Sequence, residues 1–246
     1  MLLCKTVYKP WMQGFNRSFL RFIHSKKSIN HISFIKDETT CVSYNDVDSF
    51  QNQIVSQFLD FKAGKIGEHP KATFLSMQFH PVYTLGRRQR NTELINRLQA
   101  GKADVVQALR GGQTTFHGPG QLVVYPIVDL IDLQIKPRTY VSMIEQSVIN
   151  TCEHFGIHGT HTTENTGVWV TDDDKIAAIG IHLRRYITSH GVAINVNTDL
   201  RWFDSIVACG LKGKRTTSFE QQGISVSIKD VESYFIKTLW NTMSKK

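Results

Sequence analysis

The sequence predicts an α/β fold of the α+β kind: a single domain with a mixed sheet and flanking helices. Three observations lead there. Short β-prone apolar runs recur at 72–79, 122–128, 167–170, 175–181 and 191–196. Apolar residues at helical spacing mark 50–61, 137–155 and 228–243. No Pro/Ser-rich linker, internal repeat or low-complexity stretch separates them.

The elements follow in order. The body starts near Ile32, and the loose alternation of TTCVSYN (39–45) predicts a first strand. Phe50, Ile54, Phe58 and Phe61 predict a helix, with Asp46 or Asp48 as its N-cap. ATFLSMQF (72–79) predicts a strand, HPVYTLGRRQR (80–90) a loop, and 104–109 a short strand. A glycine-rich loop runs from Arg110 to Gln121 and leads into the strand LVVYPIV (122–128). Pro137 suits a first helical turn, where its missing N–H costs nothing, and Val141, Ile144, Val148, Cys152 and Phe155 continue one face. GVWV, KIAAIGI and GVAINV predict three successive strands, with the acidic run 172–174 as a hairpin turn. Val231, Phe235, Leu239 and Met243 place a last helix over 228–243.

The 246 residues carry a net charge of +8, unevenly spread. Lys5, Lys9, Arg17, Arg21, Lys26, Lys27 and Lys36 fall before the first acidic residue, leaving 22 basic against 21 acidic residues beyond. The near-neutral body excludes a global footprint for DNA or RNA. A basic, acid-free arm dotted with Ser and large apolar residues predicts a mitochondrial transit peptide over 1–32, removed by a cut between Arg17 and Ile32, ahead of a catalytic domain over 33–246. No apolar run approaches the roughly 20 residues that span a bilayer. The cysteines are Cys4, Cys41, Cys152 and Cys209, with no CxxC pair, which predicts free thiols in a reducing compartment.

The loop RGGQTTFHGPGQ places four glycines among Arg, Thr, His and Gln in twelve residues. Glycines allow close backbone approach to a ligand, and exposed N–H groups can bind a carboxyl or thioester oxygen. An ordinary turn explains Gly118-Pro119-Gly120 but not the polar groups around it. The loop has neither GxGxxG nor GxxxxGK[ST] spacing, and Gly213-Lys214 is followed by Arg215, so no nucleotide loop is present.

RGGQTTFHGPGQLVVYP resembles the signature of the lipoyl(octanoyl) transferase family. HPVYTLG before it, then GVWV, KIAAIGI, HGVAINVNTDL and ACG, match in order over roughly 70–220. The chain departs from the pattern at Ala208, where a proline commonly precedes the cysteine. The arm points to a mitochondrial member, in the matrix. The resemblance implies the fold of the biotin/lipoate ligase catalytic domain. It also implies transfer of an octanoyl group from acyl carrier protein to a lysine of lipoyl domains. The acceptors would be the E2 subunits of 2-oxoacid dehydrogenases and the glycine cleavage H protein. No ATP, metal or other cofactor is implied, nor any nucleic acid or membrane partner.

The same resemblance assigns Cys209 as the acyl-carrying nucleophile and Lys175 as its neighbour. A free thiol near pKa 8.5 is only slightly ionised at neutral pH, and an adjacent ammonium favours the thiolate. From the residues alone, Lys175 reads as a solvated lysine salt-bridged to Asp173 or Asp174, and only the resemblance reverses this; Cys209 reads as a small buried hydrophobe, against which Gly210 and the basic run 212–215 argue for a loop. The family's substrate pocket maps onto three stretches: Arg110, Gly111, Gly112, Gln113, Thr114, Thr115, Phe116 and His117; Ala178, Ile179 and Gly180; Gly191, Val192 and Ala193. Small residues in the last two leave room for an alkyl chain, or serve tight strand packing.

Weaker signals complete the reading. His154, His158 and His161 lack a Cys or carboxylate at ligand spacing, so a metal is not predicted. His80 and His117 are placed at the site, with His190 near it. Basic clusters at Arg87, Arg88 and Arg90, at Arg184 and Arg185, and at 212–215 are solvated surface by default and docking patches for acidic carriers otherwise. The rival readings are an ATP-using lipoate ligase on the same fold and a non-catalytic carrier-binding protein.

Overall fold

The computed structural model describes residues 28–87, 92–206 and 213–244. Ten strands and four α-helices are found among them: β1 (Asn30–Ser33), α1 (Tyr44–Lys62), β2 (Thr73–Met77), β3 (Val82–Leu85), α2 (Thr92–Gln99), β4 (Asp104–Gln107), β5 (Thr115–His117), β6 (Gln121–Ile127), α3 (Pro137–His154), β7 (Val168–Trp169), β8 (Asp174–Arg184), β9 (Ile187–Asn195), β10 (Arg215–Thr216) and α4 (Ile228–Ser244). A 3-10 helix covers Leu200–Ser205. The main sheet runs β1-β2-β6-β9-β8-β10, with β7 paired to β8; β4-β3-β5 form a second, smaller sheet.

The main sheet is mixed, as the sequence predicts. Its centre is antiparallel, β2 to β6 to β9 to β8, while β1 on β2 and β10 on β8 are parallel. One face is covered by α3 and α4. There Ile144, Val148, Cys152, Val231, Phe235 and Leu239 pack on Leu122, Val124, Val192 and Ile194. Pro137 does open α3, and its apolar face is the one the periodicity marks. On the other face α1 sets Val47, Ile54, Val55 and Phe58 against Leu75, Met77, Val123, Tyr125 and Ala193.

The structure corrects three local expectations and adds one helix. Residues 39–45 contribute only one isolated bridge, Val42 to Phe79. The Asp37 carboxylate accepts from the Thr39 N–H and from the Thr39 and Thr40 hydroxyls, which folds the segment into a turn. Tyr44 is already helical, so Ser43 takes the N-cap position and Asp46 and Asp48 lie inside α1. Part of the expected loop 80–90 is β3, whose Val82, Tyr83 and Leu85 are buried. Helix α2 carries no long apolar stripe in sequence. Leu98, its buried residue, packs beside Tyr83, Leu85 and Phe116 of the small sheet.

β1 takes Asn30, His31 and Ile32 from the stretch assigned to the arm. His31 Nε2 lies 2.8 Å from Ser76 Oγ and 3.4 Å from Glu232 Oε1, and the Ser76 hydroxyl donates to that same carboxylate. The network joins β1, β2 and α4. Hydrogen bonds from His31, Ser33 and Ser76 hold the Glu232 carboxyl below its ordinary pKa, overcoming a burial that acts the other way.

Candidate active site

A cavity of about 160 Å³ lies between the small sheet's loop and the main sheet. Its floor comes from neighbouring strands. Val123 of β6 pairs with Ala193 of β9, and Ala193 with Ala178 of β8; one step along, Gly191 pairs with Gly180. Directly paired residues face the same side of a sheet. The floor is therefore two rows of small side chains, with Tyr125 beside them.

The roof is the glycine-rich loop, and Arg110 shapes it. This buried guanidinium donates from Nη2 to Thr84 O (2.7 Å) and Thr84 Oγ1 (2.6 Å), and from Nη1 to Gly111 O (3.0 Å) and Gln113 O (2.9 Å). Arg110 thus acts as a brace that closes the loop on its own carbonyls. The loop is stitched down by the Gly111 N–H on Ile181 O (3.1 Å). It needs bare glycine opposite: a Cβ on Gly180 would stand 2.9 Å from Arg110 Cδ, and one on Gly86 would stand 1.8 Å from Gly112 O.

Lys175 closes one end. It is 8% exposed, and its Nζ donates to Thr166 O at 3.1 Å and sits 4.6 Å from the centre of the Trp169 ring. The bland alternative for this lysine fails. Asp173 pairs with Lys214 (2.7 Å) and Asp174 with Arg215 (2.7 Å), so no carboxylate of the described residues pairs with Lys175. The ammonium is held by a carbonyl and a ring face, beside the cavity.

Two imidazoles complete the wall. Burial and the nearby Arg110 charge push His117 down to about 4 and His190 to about 3. Both are neutral at physiological pH.

Residues 48–240 match the family model described as the lipoyl protein ligase A/B catalytic domain. A Schizosaccharomyces pombe protein named "Probable octanoyltransferase" is 54% identical over 218 residues, covering 89% of this chain and 99% of the relative. The chain belongs to the lipoyl(octanoyl) transferase family. As a member of that family it is an acyltransferase. A Danio rerio relative, "Octanoyl-[acyl-carrier-protein]:protein N-octanoyltransferase LIPT2, mitochondrial", is 46% identical over 183 residues, 74% of this chain and 79% of its own. Among solved structures, lipoate-protein ligase A bound with ATP superposes with a TM-score of 0.62 at 13% identity, over 87% of this chain and 84% of its own. Aquifex aeolicus biotin protein ligase in complex with biotin and ATP gives 0.51 at 15%, over 88% and 71%. At such identities these two establish the fold.

Most of the residues that the family pattern assigns to substrate meet at this cavity. Arg110, Gly111, Gly112, Gln113, Thr115, His117, Ala178, Ile179, Gly180, Gly191, Val192 and Ala193 all line it, as does Lys175. Thr114 and Phe116 do not. Alternation along β5 sends Thr115 and His117 to the cavity and their neighbours to the far side. Phe116 stacks on Trp202 there, with centroids 5.0 Å apart. His80 is a further correction, being exposed and outside the cavity. Val123, Tyr125, Asn165 and Thr166 line the cavity without having been singled out. The first two follow from strand alternation once β6 is known to pair with β9; the last two left no signal.

The three clustered histidines go separate ways. His154 stacks on Tyr234, His158 contacts Glu153 and His161 contacts Asp172. No group of three or more His, Cys, Asp or Glu suited to a metal occurs among the described residues. Nor is any helix among them long and apolar enough to cross a membrane.

Cys4 and Cys209 lie outside the described residues. The other two thiols are poor nucleophiles. Burial pushes Cys152 up to about 12, and burial with the Asp37 charge raises Cys41. Arg88, Arg90 and Lys212 also fall outside, while Lys214 and Arg215 are already engaged by aspartates.

Proposed function

We propose that this enzyme moves an octanoyl group from acyl carrier protein, through a thioester on Cys209, to the lysine of an apo-lipoyl domain. The observation that carries the reading is the slot itself. It is a narrow cavity with a floor of small side chains, roofed by loop backbone and ended by Lys175, an ammonium without a carboxylate partner among the described residues. The names of the relatives support octanoyl and acyl carrier protein as donor.

The chemistry needs two exchanges. The Cys209 thiolate attacks the carrier thioester carbon; its C–S bond forms, the carrier's breaks, and the departing thiolate takes a proton. The acceptor amine then attacks the acyl-enzyme, the amide C–N bond forms, the Cys209 C–S bond breaks and the amine gives up a proton. The first exchange is nearly balanced and the second is downhill, so neither requires ATP. Lys175 favours the thiolate by charge and relays the proton in both steps. Two observations support Cys209 over the other thiols. Cys41 and Cys152 are both shifted away from ionisation. The chain just beyond residue 212 is fastened beside Lys175, where Arg215 and Thr216 pair with Asp174 and Lys175.

Acceptors of this chemistry are the lipoyl domains of 2-oxoacid dehydrogenase E2 subunits and the glycine cleavage H protein. Relatives named mitochondrial support that compartment, and the basic arm supports the matrix. Processing then falls upstream of Asn30, so that β1 is retained.

The test is mass spectrometry of the enzyme after exposure to octanoyl carrier, with and without an apo-lipoyl domain and without ATP. An octanoyl adduct on Cys209 that passes to the acceptor is expected, with no transfer by Cys209→Ser and a loss of at least about 100-fold in Lys175→Ala, the scale of one general acid–base group. An adduct on Cys41 or Cys152, or an absolute need for ATP, overturns the reading.

A further inference from the structure

The amides around the slot fix the protons of its two imidazoles, and fix them differently. His190 is 3% exposed and holds a left-handed φ of 56°. Its backbone N–H donates to Gln51 Oε1 at 2.9 Å. The Gln51 amide nitrogen donates to Asp48 Oδ1 at 2.7 Å and faces His190 Nδ1 at 3.4 Å. An amide nitrogen offers only protons, so Nδ1 accepts and the ring proton sits on Nε2. Tyr125 packs edge-on against the ring at 5.4 Å. The Nε2–H has no hydrogen-bond partner among the described residues, and His190 lines the slot.

His117 carries the opposite tautomer. Gln121 Nε2 donates to Asn195 Oδ1 at 2.8 Å, which leaves Gln121 Oε1 to accept from His117 Nδ1 at 2.7 Å. Its Nε2 is then a bare acceptor.

Strand register places His190 far from the reacting end. His190 pairs with Ile181 of β8, six residues along from Lys175, but its left-handed φ takes the imidazole off the Ile181 face and turns it toward Gln51, Tyr125 and the slot. At the usual strand rise this is about 20 Å. The Ala178–Ala193 and Gly180–Gly191 pairs lie between. An extended chain gains roughly 1.3 Å per carbon from C–C bonds near 1.5 Å, so eight carbons need roughly 9 Å. The Lys175 side chain and the imidazole take up space at the two ends.

We propose that His190 sets the acyl-chain length: its Nε2–H, aimed by Gln51, is a polar stop at the end of the slot opposite Lys175. The inference rests on the acyl-transfer reading of the slot. Each methylene that enters the apolar stretch strengthens binding about fourfold. A methyl group pressed against the N–H buries a donor with no acceptor, which reverses that gain. Affinity therefore rises with chain length up to the stop and then falls. Gln51 acts as a positioning residue. Because burial and Arg110 keep the imidazole neutral, the stop does not titrate near neutral pH.

The test uses the full-length protein and free fatty acids of six to fourteen carbons, measured by calorimetry, alongside transfer from the matching acyl carriers with kcat and KM separated. The wild type should show a maximum at medium length. His190→Leu should move that maximum at least two carbons longer and raise dodecanoate affinity at least about tenfold, as two methylenes allow, chiefly through KM in the transfer assay. His190→Ala should move it the same way and serves if the leucine variant does not fold; His190→Gln should keep the wild-type maximum. An unmoved maximum in the folded Leu or Ala variant overturns the proposal. Fatty-acid maxima that move as expected, with no transfer from any carrier, uphold the stop and sink the acyl-transfer reading; transfer with an unmoved maximum does the reverse.

Discussion

The two faces of the main sheet treat adjacent residues in opposite ways. On β9, Ile194 points to the α3/α4 side and is fully buried in a core of large apolar side chains, while Ala193, its neighbour, points to the α1 side and floors the slot. On β8, Ile179, Ile181 and Leu183 pack toward α3/α4, whereas Ala178 and Gly180 face the glycine loop. Helix α1 covers β2, β6 and part of β9, but β8 adds nothing to that core. The slot forms where helical cover ends and loop cover begins. One face maximises buried apolar volume; the other gives it up to leave room for a chain.

Five substitutions probe that contrast, from large effect to small. Gly191→Ala should be the most damaging, because its Cβ would stand 2.2 Å from Val124 O and 2.7 Å from Pro126 Cδ, both on β6. Neither can swing away, so a loss above about 4 kcal/mol is expected; a wild-type thermal melt would show that β6 and β9 are less tightly joined than the geometry says. Ile194→Ala should cost about 2–5 kcal/mol in denaturant unfolding through the cavity it leaves, with kcat/KM of the folded fraction kept. Ala193→Val, one residue away, should do the opposite: melting close to wild type and fatty-acid affinity down at least about tenfold, the scale of one lost methylene pair. Equal effects from these two would erase the distinction between the faces.

Acid gives the fourth probe. His117 and His190 have folded pKa values depressed to about 4 and about 3, below the ordinary 6.5. The unfolded chain binds more protons in that window, so their contribution is complete above pH 6.5 and is lost as pH falls toward 4. The loss is about 2 kcal/mol per imidazole by pH 5, and His117→Gln should flatten the profile measured by melts from pH 7 to 4.5. Glu232, held low instead, contributes above its ordinary 4.5 and loses that only in more acid solution. Smallest of all, Arg215→Ala removes an exposed ion pair and should leave the melting temperature unchanged.

How far the site was legible depended on what each residue answers to. The glycine loop and the small residues of KIAAIGI and GVAINV stood out locally, and the structure gathers most of them around one cavity. Strand 39–45 misled because Asp37 offers the backbone a turn that competes with a ladder. β3 hid inside a presumed loop because four residues with one partner on each side give little periodicity. Gly180 and Gly191 suggested room for a chain; the structure shows that their bare Cα atoms are demanded equally by Arg110 and by β6.

By itself the sequence determined the α/β class, the order of most elements, the pattern of the lipoyl(octanoyl) transferases and the kinds of side chain the chemistry needs. Those properties live in local spacing and residue type. Only the tertiary structure decided that Lys175 is free of Asp173 and Asp174, that Phe116 turns away from the slot, and that Gln51 sets the proton on His190. Each depends on strand register or on partners far apart in the chain, and a register changed by one residue would send a strand side chain such as Phe116 to the opposite face.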